Sequence, residues 1–263
     1  MLENSVKSAP SNPAPGSARV VPKPGYEGVV GNLKNFENLY YRAEWEMTRL
    51  GFRRLAVIHV NPETYDEQMV RIKSDGLLFT PVRKIVRFQG FIRGHASPRG
   101  DETYCWYGGL TRAAEDGQLF REAEEKSDHK IIGQLLGYPD CCVDYFCRYA
   151  GSHADPLWVN HAGDVQGYAE CNILLRSFGL GIAYYWNCAP DCANAQKTNE
   201  RWYQVMRGID SRLAESLKEL LRAPVTWSSH RGVVEVDTPY FTGQAKSLAF
   251  LEEPRTFQWR CKQ

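Results

Sequence analysis

The sequence has almost no excess of charge of either sign and no long apolar segment. Among 263 residues, 32 basic and 31 acidic side chains leave a net charge of +1. This balance gives no reason to expect a polyanionic partner, and the charged run 121–130 mixes both signs, as a solvated helix face does. No apolar run reaches the roughly 20 residues of a membrane-spanning helix. We therefore expect no nucleic-acid partner and no membrane partner.

The N-terminal segment also lacks the apolar stretch of a signal peptide. It is instead rich in Pro, Ser, Asn and Ala, which predicts a disordered tail over residues 1–25. Together with the lack of a membrane segment, this favours a cytoplasmic location. Disulfide bonds are rare in that compartment, so clustered cysteines more often indicate metal binding or redox chemistry.

Common catalytic motifs are missing as well. There is no Walker A loop, no glycine-rich dinucleotide motif after a predicted strand, no GxSxG elbow and no HExxH motif. The sequence does contain eight cysteines. Any chemistry is therefore expected at these thiols and at the residues around them.

The tripeptide Pro-Asp-Cys occurs twice, at 139–141 and at 190–192. Proline is favoured at the first position of a helix, and an acidic residue after it suits the positive end of the helix dipole. Each copy therefore predicts a helix start with cysteine in its first turn, where a thiolate is stabilised. We expect one metal site, with the ligands Cys141, Cys142, Cys188 and Cys192.

The other four cysteines are expected to lie outside this site. Cys147 and Cys171 fall on apolar stripes of predicted helices, and unmodified cysteine is among the most buried residue types. Cys105 lies in a predicted strand, where a core position is the favoured interpretation and a role in the site stays open. Cys261 lies near the chain end and is expected to be incidental.

The kind of metal is a choice between zinc and an iron–sulfur cluster. The three residues between Cys188 and Cys192 suit a structural zinc site. Cys141 and Cys142 are adjacent, so they should point about 100° apart on a helix, and such a pair suits a multi-iron cluster better. The cysteine order also resembles that of the cluster-binding subunit of heterodisulfide reductases, with Val143 in place of a glycine and a last spacer one residue longer. We therefore expect an iron–sulfur cluster of the 4Fe-4S type, with zinc as the alternative.

An iron–sulfur site predicts a metalloenzyme that acts on a small molecule by redox, lyase or sulfur-transfer chemistry, with an electron-donor protein as a further partner. If only three thiols bind the metal, the fourth is free to act as a nucleophile or sulfur carrier. The alternative is a zinc-stabilised structural or interaction module without catalysis. A metal-free protein, with buried thiols or a disulfide between Cys188 and Cys192, is the third interpretation.

Further residues near the cysteines are candidates for the site. The candidate catalytic residues are His129, Asp140 and His161, although for each of them a structural or solvated role is the simpler interpretation. Aromatic residues crowd the segments that flank the cysteines, and they form either the wall of a substrate pocket or part of the core. They are Trp158, Tyr184, Tyr185 and Trp186, with Asn160 and Asn187 beside them.

The run from His129 to Phe146 resembles the signature of an uncharacterised prokaryotic family, domain of unknown function 483. The segment from Cys188 to Cys192 is similar to that family's second cysteine segment, which more usually carries a serine near Ala189. The resemblance covers residues 126–207. It implies a shared fold and a shared cysteine site, and it brings no activity.

The order of predicted elements indicates a mixed α/β fold in a single domain over 26–263. A helix-rich centre at 126–207 carries the cysteines, and a β-rich part follows it, with Gly232 and Gly243 as turn candidates. Predicted helices are 32–50, 62–74, 110–125, 126–137, 139–150, 164–178, 190–207 and 210–222. Predicted strands are 55–60, 103–107, 180–186, two within 77–93 and several within 225–259.

Overall fold

A computed structural model describes residues 18–86, 97–100, 102–149, 166–230, 233–246 and 251–260. Helices and strands are mixed along the chain, which confirms the predicted fold class. The described helices are α1 Glu27–Gly31, α2 Leu33–Arg49, α3 Tyr65–Ser74, α4 Ala114–Lys126, α5 His129–Leu135, α6 Asp140–Tyr149, α7 Ala193–Ile209 and α8 Ser211–Arg222. The described strands are β1 Arg19–Pro22, β2 Leu55–Val60, β3 Leu78–Val86, β4 Tyr104–Thr111, β5 Gln166–Tyr168, β6 Val225–His230, β7 Val233–Asp237, β8 Phe241–Lys246 and β9 Leu251–Arg260.

Within the described residues, the strands form two sheets. The smaller sheet has the order β2-β4-β3 and is antiparallel. The larger sheet has the order β1-β8-β7-β6-β9-β5, and its four central strands come from the C-terminal part of the chain, as predicted. Its last pair, β5 with β9, is parallel, so this pair ties the segment before the second cysteine group to the C-terminal strands.

The largest hydrophobic core lies between the larger sheet and helices α2, α7 and α8. Tyr40 of α2 stacks on Trp202 of α7, with ring centroids 5.3 Å apart. Trp227 of β6 and Phe257 of β9 are almost fully buried in the same core. Because Cys142 also belongs to this core, the cysteine segments are anchored on a rigid base.

Several local predictions are confirmed. The strand predicted at 55–60 is β2 over the same residues. Gly51 ends α2 with φ of +76°, the left-handed conformation that glycine adopts without strain. Asn61 starts the next helical segment, because its side chain accepts a hydrogen bond from the backbone N–H of Glu63.

The segment 166–192 differs most from its prediction. The helix expected at 164–178 is wrong for the described residues, which form β5 and two short 3-10 turns, and the strand expected at 180–186 is irregular chain. Asn172 accepts a hydrogen bond from the N–H of Leu174 and donates one to the carbonyl of Leu221. These bonds compete with helical pairing. The segment is buried nearly throughout, so it lacks the solvent-facing side of an amphipathic helix.

Other corrections concern single residues and element ends. Cys147 was expected in the core but is exposed on α6. Gly243 was expected in a turn but lies inside β8, where a Cβ atom would approach the Phe178 ring to 2.5 Å. The predicted tail extended to residue 25, but Arg19–Pro22 pairs with β8 as β1.

Two predicted helices begin later than expected. Residues 110 and 111 continue β4, so α4 starts only at Ala114. Ser127 then adopts the left-handed conformation, with φ of 54°, and the side chain of Asp128 accepts a hydrogen bond from the N–H of Ile131. This turn and cap separate α4 from α5, which starts at His129. Outside the described residues lie Gly232, Cys261 and residues 87–93 of the segment 77–93, in which two strands were predicted.

Candidate metal centre

The fold brings four cysteines together. The Sγ atoms of Cys141, Cys142, Cys188 and Cys192 all lie within 4.8 Å of one another. The Sγ of Cys192 is 3.7 Å from that of Cys141 and 3.9 Å from that of Cys142. The cluster is half-buried, with Cys142 the most deeply buried member. These four thiols could hold a metal, as the sequence predicted.

The first pair of thiols is placed by the turn between α5 and α6. Gly137 ends α5 with φ of +72°, and the carbonyl of Pro139 accepts hydrogen bonds from the N–H groups of Cys142 and Val143. Helix α6 therefore begins at Asp140, directly after this proline, and its first turn carries both cysteines. This confirms the helix start predicted from the first Pro-Asp-Cys tripeptide.

The second pair of thiols lies on the irregular chain before α7. The side-chain amide of Asn187 donates to the carbonyls of Cys171 and Ala189, at 3.2 and 2.7 Å. These bonds hold the turn that carries Cys188, whose N–H donates to the Sγ of Cys142 at 3.4 Å. The turn that this buried asparagine holds thus contacts the first pair of thiols through the Cys188 N–H.

Cys192 has a different position from the one predicted. Helix α7 begins at Ala193, three residues after Pro190, and Cys192 is its N-cap. The Sγ of Cys192 accepts a hydrogen bond from the N–H of Ala195 at 3.4 Å. The second tripeptide therefore lies just before the helix, whereas it was predicted to form the first turn, and the Cys192 thiol caps the helix.

The adjacent thiols of Cys141 and Cys142 were expected to point apart, but their Sγ atoms are 4.0 Å from each other. Neighbouring side chains at a helix start can converge when their rotamers turn toward the same partner. Here that partner is the Sγ of Cys192, which both thiols approach. The geometric objection to a single shared ion therefore does not apply.

Hydrogen bonds within the cluster lower the pKa of one thiol and raise the pKa of another. The thiols of Cys142 and Cys188, together with the N–H of Ala195, donate to Cys192 and hold its pKa well below its usual value. The hydrogen bonds that Cys142 donates to Cys188 and Cys192 raise the pKa of Cys142 well above its usual value. One thiolate is thus stabilised by its neighbouring thiols, and a bound cation would favour the loss of the remaining protons.

Other residues that the sequence singled out do not belong to the group of four cysteines. Cys171 is fully buried in the main core, and Cys105 packs against a smaller core beside the three-stranded sheet, so neither belongs to the group of four. Asp140 is exposed and accepts a hydrogen bond from the Gln134 side chain at 3.4 Å. His161 lies outside the described residues, as do Trp158 and Asn160.

A cavity of about 310 Å³ lies beside Cys142. His129 lines it from α5, and its ring forms a T-shaped pair with Phe146 of α6, with the ring centroids 5.6 Å apart. The predicted aromatic residues Tyr184, Tyr185 and Trp186 also line this cavity.

Sequence reasoning missed three further lining residues, Tyr138, Phe146 and Arg176. The place of Tyr138 directly before the first Pro-Asp-Cys tripeptide was the one available signal for it. Arg176 comes from a segment that was predicted to be a helix, so no pattern pointed to its position.

None of the described helices is long and apolar enough to cross a membrane. Comparison of the chain with protein-family models, with curated proteins and with solved structures finds no match. The resemblance to domain of unknown function 483 therefore has no support from these comparisons and stays a prediction.

Proposed function

We propose that the four cysteines bind one zinc ion as thiolates, and that the chain is a zinc-stabilised binding protein. The observation that carries this proposal is the spacing of the sulfur atoms. A zinc–sulfur bond of about 2.3 Å in a tetrahedron places the sulfurs about 3.8 Å apart. The Sγ–Sγ distances among Cys141, Cys142 and Cys192 are 3.7, 3.9 and 4.0 Å, and the Sγ of Cys188 lies within 4.8 Å of the other three. A cluster with several irons holds its ligands around a larger body, so this spacing favours a single ion.

The role of the ion follows from the segments that its ligands come from. Cys141 and Cys142 belong to α6, Cys188 lies in irregular chain, and Cys192 starts α7. Four thiolate ligands fill a tetrahedral site and leave no open position for a substrate, which is typical of structural zinc. The ion therefore joins the start of α6 to the start of α7 and to the irregular chain before it.

Metal analysis tests this proposal. Protein purified without oxygen should contain about one zinc per chain and no acid-labile sulfide, and its solution should be colourless. The Cys141→Ala and Cys188→Ala variants should lose most of the zinc, whereas Cys147→Ala, which removes an exposed thiol of α6, should keep it. A preparation without metal, or zinc that persists in both ligand variants, would contradict the proposal.

The second candidate is the iron–sulfur enzyme expected from the sequence. What favours it is the cavity beside Cys142, which gives a small molecule a place next to the cluster. Iron and sulfide in nearly equal amounts, with a brown colour that both cysteine variants lose, would select this candidate over zinc. An electron-donor protein would then be the expected partner.

A further inference from the structure

A second and larger cavity is an open groove between helices α2 and α7. Its volume is about 920 Å³. Helix α2 and the residues just after it form one side, α7 forms the other, and Arg71 of α3 also lines the space. None of the four clustered cysteines is among the described residues of this lining, so the groove is separate from the metal centre.

On both helices, lining residues recur at every fourth position. These rows are Arg42, Glu46 and Leu50 along α2 and at its end, and Lys197, Arg201, Val205 and Ile209 along α7. Side chains four residues apart form the ridges by which one helix packs against another. From its first to its last residue, the row on α7 is about 18 Å long, or about three helical turns. Two such ridges with an open space between them have the form of a seat for a third helix.

The groove exposes a group of apolar side chains. Leu50 is 48% exposed and Phe52 is 46% exposed, and Val205 and Ile209 of α7 are only half-buried. Gly208 lies beside them, and a Cβ atom placed there would have no other part of the described chain within 4 Å. Exposed apolar side chains that are grouped and rimmed by polar residues are typical of protein interaction sites.

Four cations line the groove without an ion pair in the described part of the chain, namely Arg42, Arg71, Lys197 and Arg201. The guanidinium of Arg201 lies 5.4 Å from the centroid of the Phe52 ring, so positive charge stands directly beside the apolar surface. Lys197 and Arg201 are four residues apart on α7, where like charges repel each other and destabilise a helix. A bound anion would remove this repulsion.

The two carboxylates of the lining do not neutralise these cations. Glu46 pairs with Arg49 at 2.8 Å, and Glu200 lies 3.4 Å from the Nζ atom of Lys218. Neither of these two partners lines the groove. The groove therefore carries an excess of positive charge, which is complementary to an acidic partner.

We infer that this groove binds an acidic amphipathic helix of a partner protein. The apolar face of that helix lies against Leu50, Phe52 and the C-terminal half of α7, and its flanking carboxylates lie against the four cations. The inference rests on the binding role proposed above and specifies the partner by its chemistry.

Three synthetic peptides test the inference. The acidic probe has about 18 residues, enough to form a helix, with leucines along one face and glutamates on both sides of them. The neutral probe has glutamine in place of each glutamate. The scrambled probe keeps the composition of the acidic probe but loses the helical spacing of its leucines. Fluorescence anisotropy with the purified full chain should show that the acidic probe binds at least tenfold more tightly than either of the others.

Each other outcome has a definite meaning. Equal binding of the acidic and neutral probes would refute the role of charge, and equal binding of the acidic and scrambled probes would refute a helix seated in a groove. No saturable binding of the acidic probe would overturn the inference outright. Displacement of the acidic probe by inorganic triphosphate at constant ionic strength would identify a small-anion site and would also overturn it.

Two charge-reversal variants locate the site. Arg201→Glu should weaken binding of the acidic probe at least tenfold, because it places a carboxylate at the centre of the cationic group. Arg148→Glu makes the same change of charge at an exposed position of α6 and should leave the affinity at the wild-type value. An equal loss in both variants would indicate a diffuse electrostatic effect and would refute a specific site in the groove.

Zinc is measured on the same samples. Binding of the acidic probe without zinc would refute the zinc proposal and leave the groove inference standing. Zinc without binding of the acidic probe would refute only the groove inference.

Discussion

Replacing Cys192 separates two roles that this side chain combines. Its Sγ caps α7 by accepting the N–H of Ala195, and it lies 3.7 Å from the Sγ of Cys141. Serine at this position keeps an acceptor for the cap but supplies no thiolate, whereas alanine removes both. We therefore expect Cys192→Ser to lose only the stabilisation that zinc provides. Cys192→Ala should lose this stabilisation and that of the helix cap as well.

The two losses differ in size. Zinc present at a thousand times its dissociation constant stabilises the folded chain by about 4 kcal/mol. Replacing a helix cap by alanine costs about 1 kcal/mol. The entropy of unfolding of a 263-residue chain is about 0.55 kcal/mol/K. Loss of zinc should therefore lower the melting temperature by about 7 °C, and loss of the cap should lower it by a further 2 °C or so.

Thermal unfolding followed by circular dichroism, with and without EDTA, measures both effects. Wild-type protein should lose about 7 °C on chelation, and both Cys192 variants should be insensitive to the chelator. Cys147→Ser, which changes an exposed thiol of α6, should behave as wild type. If Cys192→Ser still responds fully to EDTA, Cys192 is not a ligand and the proposed ligand set is refuted.

Two further predictions concern the frame around the site. Gly243→Ala should lower the free energy of unfolding in urea titrations by about 1–3 kcal/mol, because the alanine Cβ would approach the Phe178 ring to 2.5 Å. An unchanged unfolding midpoint would contradict this packing. Arg53→Met should lower the free energy of unfolding by about 3–5 kcal/mol. In the wild type the Arg53 guanidinium lies 2.9 Å from the buried Glu44 carboxylate, and the variant leaves this carboxylate without its cation. The matched change Arg54→Met breaks an ion pair whose arginine is exposed and should cost less than about 1 kcal/mol; similar losses in the two variants would show that burial of the pair is unimportant.

Much of the fold could be predicted where local rules decide the conformation. The apolar periodicity of 32–50 predicted helix α2, and the β-rich run 55–60 predicted strand β2. The helix start after Pro139 was predicted from the Pro-Asp-Cys tripeptide. These signals act over a few residues, because a cap or a proline changes the energy of its own turn.

Prediction failed where burial overrode local preference. The segment 166–192 contains apolar residues at helical and strand spacing, yet it forms 3-10 turns and irregular chain. Side-chain bonds from Asn172 and Asn187 replace the backbone pairing of a regular element there. A periodic pattern carries no information about such long-range partners.

By itself, the sequence determined which residues could form a site: four cysteines that follow turns and helix starts. Only the tertiary structure decided how they meet. The Sγ atoms of Cys141 and Cys142 converge on that of Cys192, about fifty positions later in the chain, at distances of 3.7 and 3.9 Å. The same packing closes the cavity beside Cys142. Distances between side chains far apart in sequence depend on how the whole core packs, and local propensity does not specify them.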